Sequence, residues 1–165
     1  MEGNKSKPRA LLVFGAPCSG KTTFAKKFAD KFGLAYYNLR DIKDENTISN
    51  EMLLTIMELV ARTHQTLVIE GMLDTEKDRR MIRSAFLKSH YDVSLIWLQT
   101  DATTIKMRMK AKYKSVMKAK DIYEKMIESM EAPTELEHPI ILSGKHTFET
   151  QTKHVLSGLA DVDKR

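Results

Sequence analysis

The chain has 165 residues, of which 42% are hydrophobic and 30% charged, and these proportions are typical of a single globular domain. No apolar run reaches the ~18 residues that a membrane-spanning helix needs, and the polar residues 1–8 do not resemble a signal peptide. Cys18 is the single cysteine, which excludes an internal disulfide, so we expect a cytoplasmic protein without a membrane partner.

Positive charge is concentrated in one segment. The formal net charge of the whole chain is +5. Residues 106–125 contain seven lysines and Arg108 against Asp121 and Glu124, so this segment carries +6 and the remainder carries −1. A near-neutral body with one basic segment favours a local anionic partner over a general nucleic-acid coat.

Apolar, β-forming runs alternate with helical patterns along the chain. Strands are predicted at residues 10–14, 34–37, 67–69, 93–98 and 139–142. Helices are predicted at residues 21–32, 47–63, 75–88, 102–113, 120–130 and 147–159, with Met52, Ile56, Leu59 and Val60 as the apolar stripe of the second. This alternation predicts one α/β domain over residues 1–165, with a five-stranded parallel sheet, helices on both faces and frayed ends at residues 1–8 and 161–165.

Residues 15–22 match the pattern G-x-x-x-x-G-K-[ST], between an apolar strand and a helix. Gly15 and Gly20 permit the turn that brings backbone N–H groups to phosphates, and the helix start adds its positive dipole end. Lys21 is expected to reach the β- and γ-phosphates, and Thr22 to ligate Mg²⁺. The pattern predicts a three-layer α/β/α P-loop NTPase fold. Its predicted ATP site comprises Gly15, Ala16, Pro17, Cys18, Ser19, Gly20, Lys21, Thr22 and Thr23.

Two alternatives concern this loop. A glycine-containing turn before a helix also occurs without any ligand. Cys18 either fills a tolerant position in the loop or presents a reactive thiol.

An acidic residue follows the next long apolar strand. Residues 66–71 read Thr-Leu-Val-Ile-Glu-Gly, so the strand ends in Glu70. In P-loop proteins a carboxylate in this position supports Mg²⁺ or orients a water molecule. Glutamate is one methylene longer than the usual aspartate, which favours contact through water. The alternative is a solvent-facing residue at the end of a strand.

With these two motifs in place, the chain resembles the P-loop kinases, and more narrowly their AAA-type group that includes polynucleotide 5′-hydroxyl kinase. Four further stretches carry the resemblance: residues 36–41 ending in Arg-Asp, residues 70–80 ending in paired arginines, residues 100–108, and residues 127–135. The resemblance spans nearly the whole chain.

The resemblance implies roles for several residues. Asp41 matches the base that accepts the proton of the attacking hydroxyl, with Asp44 and Glu45 as nearby rivals, and Arg40 is a candidate for holding an anionic group. Arg108 matches the arginine that stabilises the transferring phosphoryl group, in a lid over residues 106–125. Gly144 and Lys145 lie in the loop that packs against adenine in this family.

The leading hypothesis is a kinase that uses ATP and Mg²⁺ and phosphorylates a hydroxyl of a nucleoside, a nucleotide, a 5′-hydroxyl oligonucleotide end or another metabolite. Two alternatives stay open: an ATP-binding regulatory module without transfer, and a nucleic-acid-binding protein that uses the lysine-rich segment. The five histidines lack metal-ligand spacing and are interpreted as structural or surface residues. The acceptor and the oligomeric state are left open.

Overall fold

A computed structural model describes residues 7–42 and 48–162. Five strands form one parallel sheet in the order β2-β3-β1-β4-β5. The strands are β1 (Arg9–Gly15), β2 (Ala35–Asn38), β3 (Leu67–Glu70), β4 (Asp92–Gln99) and β5 (Ile140–Ser143). The predicted five-stranded α/β fold is confirmed, with β2 starting one residue later than predicted.

Seven α-helices and a short 3-10 turn, Glu135–Glu137, accompany the sheet in the described ranges. The helices are α1 (Lys21–Phe32), α2 (Leu39–Ile42), α3 (Asn50–Ala61), α4 (Glu76–Lys88), α5 (Ala102–Tyr113), α6 (Val116–Ser129) and α7 (Phe148–Val162). None of the helices in these ranges combines the length and apolar character needed to cross a bilayer.

The sheet separates two apolar cores. Along β1, Leu12 and Phe14 face one core, where α3 and α4 pack, and Leu11 and Val13 face the other, where α1 and α7 pack. This alternation follows from the two-residue period of a strand. A third cluster, built around Ile105 and Met109, joins α5 and α6 beside the phosphate loop.

The buried face of α3 differs from the prediction. Leu53, Met57 and Ala61 are fully buried, whereas Met52 and Leu59 of the predicted stripe are more than half exposed. The helix begins at Asn50, because the Ser49 side chain accepts a hydrogen bond from the Met52 N–H and caps its first turn.

The carboxyl ends of the strands place the site. In the parallel register Val13 pairs with Glu70, Gly15 with Leu98 and Gln99 with Ser143. The loops that follow β1, β3, β4 and β5 therefore meet at one edge of the sheet, where open α/β folds bind their ligands.

A buried arginine ties the loop after β3 to the segment after α6. Arg79 is 2% exposed, and its guanidinium pairs with Glu137 at 2.7 Å and lies 4.7 Å from the centre of the Phe14 ring. It also donates to the backbone carbonyls of Leu73, Asp74 and Glu131. Burial acts to raise the pKa of Glu137, but the hydrogen bonds from Arg79 and Thr134 prevail and lower it.

We expect Arg79→Ala to lower the free energy of unfolding by roughly 3–5 kcal/mol, because Glu137 loses its buried charge partner and the carbonyls of Leu73 and Glu131 lose this donor. Arg80→Ala is the matched control. Arg80 is largely exposed, with Glu76 at 3.7 Å, so its loss should change stability by about 0–1 kcal/mol. Urea denaturation measures both, and equal effects would contradict this assignment. The pKa of Glu137 is lowered in the folded state. The stability that the Arg79–Glu137 pair contributes is therefore complete above the ordinary pKa of 4.5 and is lost as the pH falls below that value.

Candidate active site

A cavity of about 880 Å³ opens at the carboxyl edge of the sheet. The phosphate loop forms its floor, the loops after β3 and β5 form two walls, and the α5–α6 pair contributes Arg108, Lys112, Tyr113 and Ile122. All of the predicted loop residues except Ala16 line the cavity, and Ala16 packs beneath it against the α5–α6 pair.

The phosphate loop has the backbone of an anion cradle. Cys18 and Gly20 have φ values of 61° and 102°, so both lie in the left-handed region that most side chains avoid. A Cβ on Gly15 would lie 2.5 Å from the Leu98 carbonyl oxygen, which requires glycine there. The N-cap residue of α1 is Gly20, which has no side chain to cap the first turn, so this 12-residue helix presents its first backbone N–H groups to the cavity.

Lys21 extends over this loop. Its ammonium group contacts the Ala16 carbonyl oxygen at 3.4 Å. Burial lowers the pKa of Lys21, and the nearby Glu70 carboxylate partly opposes that shift. A desolvated ammonium group at the edge of an anion cradle suits phosphate oxygens, which would replace the water that it has lost.

Glu70 and Thr22 fit a magnesium site. Glu70 is 2% exposed; its Oε1 accepts a hydrogen bond from the Tyr36 hydroxyl at 2.6 Å, whereas its buried Oε2 has no partner among the described residues. Burial and the hydrogen bond to Glu70 raise the pKa of Tyr36, so the phenol stays a donor. The described ranges contain no group of three or more acidic, cysteine or histidine side chains placed to hold a metal ion.

Arg108 joins the phosphate loop to the loop after β5. Its guanidinium donates to the carbonyl oxygens of Cys18 at 3.1 Å, Ser19 at 3.3 Å and Gly144 at 3.2 Å. Gly144 is packed so tightly that a Cβ would lie 2.5 Å from the Ser19 carbonyl oxygen. The structure thus brings Arg108 to the phosphate loop, with three of its contacts directed at backbone.

Arg40 and Asp74 lie together on the wall of the cavity formed by the loop after β3 and the start of α2. Arg40 follows β2, Asp74 follows β3, and their side chains form an ion pair that lines the cavity. Asp41 lies on the one-turn helix α2, is exposed and does not line the cavity. Asp44 and Glu45 lie outside the described residues.

A sequence profile of the AAA domain family matches residues 11–136. The chain belongs to the AAA domain family. No curated protein sequence matches it significantly. Among solved structures, a sugar kinase from Janibacter sp. HTCC2649 is 21% identical with a TM-score of 0.74, over 93% of this chain and 95% of that chain. A gluconokinase from Sinorhizobium meliloti 1021 is 13% identical with a TM-score of 0.71, over 94% and 93%.

A third structure, the Mycobacterium tuberculosis APS kinase in complex with AMPPNP and APS, is 12% identical with a TM-score of 0.65, over 93% of this chain and 98% of that chain. At these identities the likeness concerns the fold. Together with the family match it confirms that this AAA domain has the fold of the P-loop kinases.

The loop after β5 forms one end of the AAA domain cavity, and the side chains that line this end differ from those predicted. Gly144 lines this end as expected. Lys145 does not line it, because its ammonium pairs with Asp101 at 2.7 Å. His146 and Phe148 line it instead. His146 is predicted to be structural or surface, because the histidines lack metal-ligand spacing. The signal that could have placed it here is a pair of rings, His146 and Phe148, shortly after the last strand.

The lysine-rich segment, residues 106–125, covers most of α5 and most of α6. Lys106 lies over the Tyr123 ring at 4.6 Å, and Lys112 and Lys118 lie over the Tyr113 ring at 5.4 and 5.6 Å. Lys112 also lines the cavity, so part of the basic charge of this AAA domain faces the site.

We expect Tyr36→Phe to raise the Mg²⁺ concentration needed for half-maximal ATP turnover by about 10–100-fold, because Glu70 loses the donor that orients it. Tyr37→Phe is the control, since Tyr37 packs against the core on the α3–α4 side. A magnesium titration of ADP release measures both. Superimposable titrations for wild type and Tyr36→Phe would refute the role of Glu70.

Proposed function

We propose that this AAA domain is a kinase that transfers the γ-phosphoryl group of ATP to a hydroxyl of a small molecule, with Mg²⁺ as the metal. One observation carries the proposal: the start of α1, a desolvated lysine and a carboxylate oxygen of Glu70 that has no partner among the described residues converge in one cavity. A cavity of about 880 Å³ is within the usual range for small-molecule sites, roughly 300–1,000 Å³. Two of the similar structures, named as a gluconokinase and a sugar kinase, favour such an acceptor over an oligonucleotide end.

The chain's own residues would act by positioning and charge. The amides at the start of α1 bind the phosphates, and Lys21 compensates the negative charge on the β- and γ-phosphates. Thr22 and Glu70 would hold Mg²⁺, which supplies further neutralisation of that charge when bound. The adenine base would be enclosed by Gly144, His146 and Phe148. The α5–α6 pair would act as a lid that excludes water.

Arg108 has two candidate roles in this reaction. The resemblance assigns it to the transferring phosphoryl group. Its contacts with Cys18, Ser19 and Gly144 support a second role, in which it braces the nucleotide-binding loops. Arg108→Lys separates them: loss of bracing weakens ATP binding, whereas loss of transition-state contact lowers kcat with ATP binding retained.

Two carboxylates are candidates for the general base that accepts the proton of the attacking hydroxyl. The resemblance proposes Asp41, which is exposed on α2. The geometry of the cavity favours Asp74, which faces the site.

We expect Lys21→Ala to abolish both ATP turnover and the rise in Tm that Mg²⁺ and ATP produce in the wild type. At 100 times the Kd that rise corresponds to about 2.7 kcal/mol. The Tm of the ligand-free variant should not fall, because the substitution removes a desolvated ammonium group. Lys88→Ala, at the exposed end of α4, is the control.

Thermal melts and ADP release should be recorded with polyols, sugar acids, nucleosides and 5′-hydroxyl RNA and DNA. If the wild-type protein binds ATP but releases no ADP with any of these acceptors or in water alone, the result would favour an ATP-binding regulatory module without transfer activity. A wild-type Tm that ATP does not change would remove the kinase proposal altogether.

A further inference from the structure

The loop after β3 contributes to the cavity a carboxylate that the family resemblance does not use. Asp74 lies in the loop between β3 and α4 and lines the cavity together with Asn38, Arg40 and Gly71. Its side chain is 32% exposed and its Oδ2 accepts a hydrogen bond from Arg40. Its other oxygen, Oδ1, accepts no hydrogen bond from the residues that the structure describes, which leaves it to a molecule in the cavity.

The pair lines the same cavity as Lys21, the predicted phosphate-binding lysine. After burial and the charge of Glu70, the charges of Arg40 and Asp74 are the next to act on the pKa of Lys21. Coulomb interactions weaken with distance, so this effect supports the placement that the cavity lining gives. The charge of Asp41 acts instead on the phenol of Tyr36.

The backbone fixes the position of Asp74 independently of its carboxylate. Its carbonyl oxygen accepts hydrogen bonds from the Glu131 N–H at 2.9 Å and from Arg79 Nη1 at 3.3 Å. Arg40 is held in turn, because its N–H donates to Asn38 Oδ1 at 3.0 Å. The ion pair therefore joins two loops that are anchored by other contacts, and a partly exposed pair of this kind contributes little to stability.

We propose that Asp74 is the general base of the transfer reaction and that Arg40 positions its carboxylate. This inference rests on the kinase function proposed above. The acceptor hydroxyl donates a hydrogen bond to Asp74 while its oxygen attacks the γ-phosphorus. As the new P–O bond forms, the bond from the γ-phosphorus to the β–γ bridging oxygen breaks and ADP leaves with that electron pair. The hydroxyl proton passes to the Asp74 carboxylate.

The test compares Asp74→Asn with Asp41→Asn, using ADP release with the best acceptor of the panel and with water alone. Asp74→Asn should lower kcat by about 10²–10⁴-fold, with an unchanged Tm rise on adding ATP, and Asp74→Glu should recover part of the loss. The acidic limb of the kcat–pH profile, which reports protonation of the base, should disappear in Asp74→Asn. Asp92→Asn is the control, because Asp92 forms an exposed ion pair with Lys7 at the opposite edge of the sheet.

Arg40 is tested separately as a positioning residue. Arg40→Gln should lower kcat while the Tm rise on adding ATP is retained, and Arg40→Lys should restore part of the rate because it keeps the charge beside Asp74. Equal rates in Arg40→Gln and wild type would remove the positioning role.

Two results would overturn the assignment of Asp74. In the first, Asp74→Asn leaves turnover and the kcat–pH profile unchanged while Asp41→Asn causes a large loss. That result would assign the general base to Asp41 and leave the kinase function intact. A wild-type protein that turns over no ATP in any condition would remove the proposed function, and this inference with it.

Discussion

The shape of the cavity depends on how closely the phosphate loop packs against the ends of β4 and β5. A Cβ on Gly15 or on Gly144 would lie 2.5 Å from a backbone carbonyl oxygen, of Leu98 and Ser19 respectively. Arg108 then bonds to carbonyls on both the phosphate loop and the loop after β5. These backbone contacts hold the phosphate loop and the loop after β5 as one unit before any ligand binds.

Several polar groups in this unit lack the partners that burial normally demands. Glu70 Oε2 and Ser19 Oγ are buried without a hydrogen-bond partner among the described residues, and Lys21 is desolvated. Such groups lower the stability of the ligand-free fold, and functional sites are where proteins retain them. A nucleotide with its metal would supply the missing partners, so the same groups that cost stability account for binding.

The sequence predicted what depends on local pattern and could not show what depends on long-range packing. The phosphate loop was found because its residue types and spacing follow from phosphate chemistry. The buried face of α3 was misplaced because apolar residues, Met52 to Val60, occupy most positions of that helix, so the period does not fix its phase. The contacts of Arg108 with Cys18, and of Arg40 with Asp74, join residues 90 and 34 positions apart, and no local pattern indicates which carboxylate faces the cavity.

Backbone amide shifts test most directly whether residues 15–22 bind the triphosphate. A ¹⁵N-labelled protein titrated with Mg²⁺ and a non-hydrolysable ATP analogue should show its largest shifts at Ser19, Gly20, Lys21 and Thr22, with smaller ones near Gly144. Amides on the exposed face of α4, such as that of Ser84, should not shift. Shifts confined to that face, or none at saturating analogue, would contradict the account.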